Sequence, residues 1–491
     1  MADDIDEEAA KIAASIERGS IVAAAGCGKT EQIARATQAS TGCRLILTHT
    51  HAGVDALRAR LKKRKVPEAK YRIDTIAGWA LRFAASYPQR SAIPVAEPSG
   101  KEWNGIYQSA AALVRSGAVS RVLKASYDGL FVDEYQDCTA DQHEIICALA
   151  SHFPTCVFGD HLQAIFDFKG QKPVEWDKDV FPAFPKCHEL TTPWRWKNAG
   201  NEGMAGWLKG VRTVLDNGAN LDFSNTTPCV HWFQIPPPSK SNPIQAQRRQ
   251  IITEAFRGIE LDSDENLVIM ADSANPKSRA SLAKHFSKWG CSNIEAIDCP
   301  DLFKAAAGLE GCAGMARLEA VLEFAATCMT GVEKAPLLSS VNSHLAGGKA
   351  GAKKFADLIP LCVEITRAGG YHLVLALLTA LHGRAQTRAY RREMFYSMCT
   401  ALRLMGTGQL ASLTDAVWQA QNRTRHRGRV LGTRNVGSTL LVKGLEFDHA
   451  LVIDAQGLDR KHLYVALTRP VRSLTILSSS PQFAPKRSKS S

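Results

Sequence analysis

Short, mostly apolar runs recur along this chain, separated by longer stretches of helical period. Residues 20–25, 44–48, 129–133 and 156–159 form such runs early on, and the pattern returns at 266–271, 449–454 and 473–477. Runs this short, bounded by glycines or polar clusters, predict buried strands. The intervening stretches at 7–18, from Lys29 onward and at 52–65 predict helices. Strands alternating with helices build a parallel α/β sheet. Two separated sets of runs therefore predict two α/β cores. From about 300 to 427 the chain turns helical and rich in Ala and Leu. There Leu318, Val321, Leu322 and Phe324, and again Leu373, Leu377 and Leu381, mark core-facing helical stripes.

Composition adds a modest constraint. Lysine and arginine total 60 against 48 acids, a formal net charge of +12. That balance suits a polyanionic partner without demanding one. The thirteen cysteines include no C-x-x-C pair, which points to a reducing compartment rather than a zinc site or disulfide framework. The first residues are acidic, the opposite of a secretory leader, and the apolar stretch at 373–381 is too short to cross a bilayer. The expectation is a cytoplasmic protein with no membrane partner.

The run at 20–25 leads into Ala23, Ala24, Ala25, Gly26, Cys27, Gly28, Lys29 and Thr30. A small-residue turn between a strand and a helix, ending in Gly-Lys-Thr, predicts a phosphate-binding loop. Its backbone N–H groups and the helix N-terminus would cradle phosphates, Lys29 would neutralise them, and Thr30 would ligate Mg²⁺. Ala23 stands where the general pattern has glycine. A second element sits at the end of the run at 129–133. Asp133 would hold Mg²⁺, and Glu134 beside it would act as general base on the attacking water.

These residues bring a family into view. Asp133-Glu-Tyr-Gln-Asp-Cys138 resembles motif II of superfamily 1 helicases of the UvrD/Rep/PcrA type. Gly159-Asp-His-Leu-Gln163-Ala-Ile-Phe166-Asp-Phe168-Lys-Gly170 resembles motif III, and Leu190-Thr-Thr-Pro-Trp194-Arg195 stands in the place of motif IV. Val442-Lys-Gly444-Leu-Glu446-Phe resembles motif V, and Leu463-Tyr-Val-Ala-Leu-Thr-Arg469 motif VI. The order is the family's order. The resemblance implies two RecA-like parallel-sheet P-loop cores that use ATP and Mg²⁺. It implies Gln163 as γ-phosphate sensor, Arg195 and Arg469 as arginine fingers, Trp194 as an adenine stack, and Gly444 and Glu446 at the nucleotide. It places Thr50, His51, Thr75, Phe166 and Phe168 on a single strand of nucleic acid, the two phenylalanines by base stacking.

The chain departs from the family in several places. No glutamine precedes the phosphate loop, the Thr75 region lacks the family's His-Ser pair, Pro193 replaces asparagine and Leu440 replaces histidine. The expected division is a first core at 1–195 with a reduced insertion at about 84–127. A second core would start at 196–299, carry a helical insertion at 300–427, and finish at 428–491 with a basic tail. The implied activity is that of a DNA-dependent ATPase acting as a 3′→5′ translocase or helicase on single-stranded DNA or tailed duplex. In size the chain resembles the compact helicase-like subunits of anti-phage systems such as Gabija, which brings a separate nuclease subunit into question as partner. The alternative is a nucleic-acid-gated ATPase sensor or regulatory subunit that does not unwind processively. Two basic clusters, at 58–65 and at 423–429, are read as a solvated helix face and as an open case, respectively.

Overall fold

The computed structural model describes residues 2–91, 98, 102–166, 172–271, 275–296, 298–347, 353–427 and 431–486. Its first sheet has six strands: β1 (Arg18–Ala23), β2 (Arg44–Thr48), β3 (Tyr71–Thr75), β4 (Gly129–Val132), β5 (Thr155–Gly159) and β6 (Lys186–Leu190). They lie in the order β3-β2-β4-β5-β1-β6, and every pairing is parallel. Side chains alternate across a strand, so an uninterrupted apolar strand feeds two cores at once. Ile21, Ile46, Phe131 and Phe158 enter one core with Ile33 and Leu57. Val22, Leu45, Leu47, Leu130, Val132 and Val157 enter the other, with Trp79 and Ile145.

The reduced insertion is built of short helices, Pro88–Ser91, Glu102–Arg115 and Ser120–Ser126. Its Ile106, Tyr107, Ala110, Leu113 and Leu123 share the core of the second face. The segment is thus a cover for the sheet.

A second six-stranded sheet runs in the order Cys291–Asn293, Arg434–Gly437, Leu267–Met270, Phe447–Val452, Pro470–Ser478, Val230–Gln234. The three pairings among its first four strands are parallel. The architecture is α/β with two RecA-like cores, as expected. Helices from Pro300–Glu310 to Leu413–Arg427 enclose a core of their own, in which Leu318, Val321, Leu322, Phe324, Leu377 and Leu381 are buried and Leu373 packs at the edge.

The compact units divide differently from the expected boundaries. The first unit runs on to Val230 instead of ending at 195, and it also includes Gln456–Arg472 and the segment starting at Ser480. The second comprises His231–Ala455 and Ser473–Ser479. The physical reason is packing by helix Glu202–Asp216, whose Arg212 and Asp216 bond Asp160 and His161 at the end of β5. Helix Arg460–Leu467 joins the same unit through Tyr464.

Candidate active site

In a parallel sheet all carboxyl ends open on one rim, where the loops that follow can converge. β1 delivers the phosphate loop there, β4 delivers Asp133 and Glu134, β5 delivers Asp160 and Gln163, and β6 delivers Trp194 and Arg195. The loop's turn is made by Gly26 and Gly28, at φ 71° and 76°. That left-handed region is open to glycine at little cost. Space is a second constraint. A Cβ on Gly26 would meet Trp196 Cζ3 at 2.6 Å, and one on Gly28 would meet Trp194 Cδ1 at 3.2 Å. Cys27 is buried beneath the loop, with its backbone N–H donating to Ala24 O at 3.1 Å. Gly28 caps helix Lys29–Ala39, so the unspent N–H groups of that helix start at Lys29 and Thr30.

Lys29 meets both carboxylates of β4's end. Its Nζ lies 2.5 Å from Glu134 Oε2 and 3.4 Å from Asp133 Oδ1. Burial alone would depress the ammonium's pKa. Glu134 and then Asp133 outweigh that and hold it above its ordinary value, so it stays charged. Burial pushes the Asp133 carboxyl up to about 6, with Lys29 opposing and Glu134 adding to the rise. Glu134 adopts φ 54°, a left-handed conformation costly for a non-glycine residue, and its N–H donates to Asp133 Oδ1 at 2.9 Å. Gln136 fixes the glutamate from the side. Its Nε2 donates to Glu134 Oε2, while its Oε1 accepts the Asp160 N–H at 3.0 Å.

Gln163 Nε2 donates to Asp160 Oδ2 at 2.9 Å, which turns its Oε1 toward Arg469 Nη2 at 3.5 Å. Arg469 is only 2% exposed and is braced by its own turn, donating to Val465 O and Thr468 Oγ1. Arg195 accompanies it. Its N–H donates to Gly26 O at 3.1 Å and its Nη1 to Thr468 O at 2.7 Å. The structure therefore gathers the phosphate loop, Asp133, Glu134, Gln163, Trp194, Arg195 and Arg469 within one compact unit.

Sequence reasoning missed the braces. Asp160 is fully buried and paired with Arg212 at 2.9 Å. Arg212 also donates to the Tyr464 hydroxyl at 2.9 Å, and that hydroxyl accepts the Ala25 N–H at 3.2 Å. Asp160 and Tyr464 sit inside the quoted motifs, where they could have been singled out. Arg212 lies on a helix with no local signal.

The remaining expected residues fall elsewhere. Gly444 and Glu446 are exposed on the loop before Phe447–Val452, in the second unit. Thr50 and Thr75 are helix N-caps, accepting from Gly53 N at 3.0 Å and Gly78 N at 2.9 Å. His51 is exposed at the first of those helix starts, and Phe166 is half-buried. Phe168 lies outside the described residues, as do Arg429 and residues 487–491 of the basic tail. In the first basic cluster Arg58 pairs with Asp55, while Arg60 and Arg64 converge on Glu31. The arginines of that cluster are ion-paired, and Lys62, Lys63 and Lys65 are exposed. No helix among the described residues is long and apolar enough to cross a membrane.

Comparison with known proteins gives a partial match. The family model of the UvrD/REP helicase N-terminal domain matches residues 101–178. No curated protein sequence matches the chain. Among solved structures, the arterivirus nonstructural protein 10 (helicase) in complex with DNA is similar over 97% of this chain at 10% identity and a TM-score of 0.35. The same arterivirus helicase without DNA aligns with the same identity and TM-score. This chain spans 63% and 62% of the lengths of those two chains. The matched segment carries Asp133, Glu134 and Gln163, and residues 101–178 are therefore similar to the N-terminal domain of the UvrD/REP helicases.

Proposed function

We propose that this chain is an ATP-dependent motor on single-stranded nucleic acid, a UvrD-like translocase or helicase. The observation that carries this reading is the convergence of Lys29, Asp133, Glu134, Gln163 and Arg469 on one sheet rim. A small-residue loop with a half-buried lysine fits a polyphosphate. An adjacent carboxylate pair fits a metal-assisted attack by water. The family match supplies the helicase class for the segment that holds those carboxylates.

The residues fit a bound magnesium ion. Asp133 and Thr30 offer hard oxygen donors, and Asp133 is only 4% exposed. They would hold the ion, whose positive charge would offset that of the phosphates. The protein's own residues do the rest. Backbone N–H groups from Gly26 to Thr30 and the ammonium of Lys29 bind the phosphates. On nucleotide entry Lys29 exchanges its carboxylate partners for phosphate oxygens, and Glu134 becomes available to take a proton from water. Gln136 keeps that carboxylate aimed. Gln163 orients at the terminal phosphate, and Arg469 and Arg195 stabilise charge that develops on it. Trp194, beside Gly28, provides an aromatic face for the base.

In the same reading the strand runs past Thr50, His51, Thr75 and Phe166, movement is 3′→5′, DNA is the substrate, and the setting is repair or anti-phage defence in the cytoplasm, beside a nuclease. The testing experiment pairs single-strand-stimulated ATP hydrolysis with strand displacement on tailed duplexes. Stimulated hydrolysis with displacement supports the motor. Stimulated hydrolysis without displacement removes the helicase and leaves a translocase or a nucleic-acid-gated ATPase, and no hydrolysis removes the reading altogether.

A further inference from the structure

The phosphate loop is tied to the segment that carries Arg469 by a chain of buried polar contacts. The Ala25 N–H donates to the Tyr464 hydroxyl at 3.2 Å, between residues far apart in sequence. Arg212 Nη1 donates to the same oxygen at 2.9 Å and lies over the Tyr464 ring at 5.4 Å. The same guanidinium nitrogen reaches both oxygens of Asp160, at 2.9 and 3.1 Å. Asp160 Oδ2 in turn accepts from Gln163 Nε2, whose Oε1 faces Arg469. Tyr464 is 2% exposed and Asp160 fully buried, so neither group can substitute bulk water for a lost partner.

We propose that Tyr464, held by the Asp160–Arg212 pair, is a positioning residue that sets the register of Arg469 and Gln163 against the phosphate loop. The inference rests on the nucleotide-hydrolysis reading above. Tyr464 lies on helix Arg460–Leu467, and Arg469 follows two residues past the helix's end. The hydroxyl pins Tyr464 to Ala25, and Gln163 meets Arg469. The pinned amide precedes Gly26, so the strut uses none of the donors from Gly26 to Thr30. Nucleotide capture by the loop is therefore separable from alignment of the groups that meet developing charge. A misplacement of about 1 Å in such groups can cost about 100-fold in rate.

The test is Tyr464→Phe, which removes one oxygen and keeps the buried ring. ATP turnover at saturating single-stranded DNA is measured together with KM for ATP, affinity for a fluorescent ADP analogue, and a thermal melt. The expected result is a kcat about 10- to 100-fold below wild type, with KM and ADP affinity within about threefold. Arg212→Lys, which keeps a cation beside Asp160 but loses the planar donor, should lower kcat in the same way. The double variant should lose no more than the worse single one, because both act through one strut. Unchanged kcat in a folded Tyr464→Phe protein overturns the proposal, as does a loss confined to KM and ADP affinity. If a wild-type chain hydrolyses ATP normally, such a result sinks the strut alone. If the wild type hydrolyses nothing, the hydrolysis reading falls and the strut with it.

Discussion

Lys29 Nζ and Glu134 Oε2 lie 2.5 Å apart, bringing the turn after β1 into direct contact with the end of β4. In the proposed reading, Glu134 is the carboxylate that Lys29 releases when nucleotide binds. Glu134→Gln should keep nucleotide binding and lower turnover by about 10²-fold or more. Measured turnover within a few-fold of wild type would exclude Glu134 as the base.

Asp133 should show a conflict between stability and function. Burial raises its carboxyl from 3.8 to about 6, so the folded state binds the proton more tightly than the unfolded chain does. The sign follows. As pH rises through that window the unfolded chain loses its proton first, and folding stability from this group falls. Asp133→Asn should therefore raise the melting temperature of the nucleotide-free protein by about 1–3 °C at neutral pH, and by less near pH 5. It should also abolish magnesium-dependent hydrolysis. Paired melts at the two pH values check this, and a melting temperature that drops at neutral pH would contradict it.

Gly26→Ala tests the loop itself. The residue has φ 71°, and its added Cβ would press on the buried Trp196 ring at 2.6 Å. The left-handed conformation alone should cost about 1–2 kcal/mol, and the clash should add to it. Thermal melts and ATP affinity should both fall. A variant as stable as wild type would mean that the loop relaxes away from Trp196.

The strand-contact assignments stand on Phe166. Phe166→Ala should weaken single-strand affinity by about 1–3 kcal/mol irrespective of base sequence. Fluorescence anisotropy with homopolymeric oligonucleotides reads it directly. Unchanged affinity would make the ring a packing residue.

Legibility followed burial. The central strands β1, β2, β4 and β5 are mostly apolar and almost wholly buried because both faces are covered, and each stood out as a short run. The edge strands β3 and β6 are half-exposed, carry sequences such as Lys186-Cys-His-Glu-Leu190, and gave no apolar run. The chemistry follows strand ends, so Lys29, Asp133, Glu134 and Gln163 could be named from short motifs. Arg212 could not. Its partners Asp160 and Tyr464 are distant in sequence, and only the packing of helix Glu202–Asp216 unites them. Helix Glu202–Asp216 likewise falls in the first compact unit, beyond the expected boundary at 195, through contacts that no local pattern encodes.

In the proposed function the residues around Lys29 hydrolyse ATP under the control of a nucleic-acid strand. Arg469 probes it most sharply, because it is buried, faces Gln163 at 3.5 Å, and has no reason to matter to a passive nucleotide binder. Arg469→Lys keeps the charge but not the planar fork and should rescue poorly. The measurement is steady-state phosphate release from ATP with and without saturating single-stranded DNA, for wild type and Arg469→Ala. The expected result is strand-stimulated hydrolysis in the wild type, lowered by about 10³-fold in the variant with nucleotide affinity nearly kept. Stimulated hydrolysis that survives the alanine change, or a wild type that hydrolyses no ATP, would contradict it.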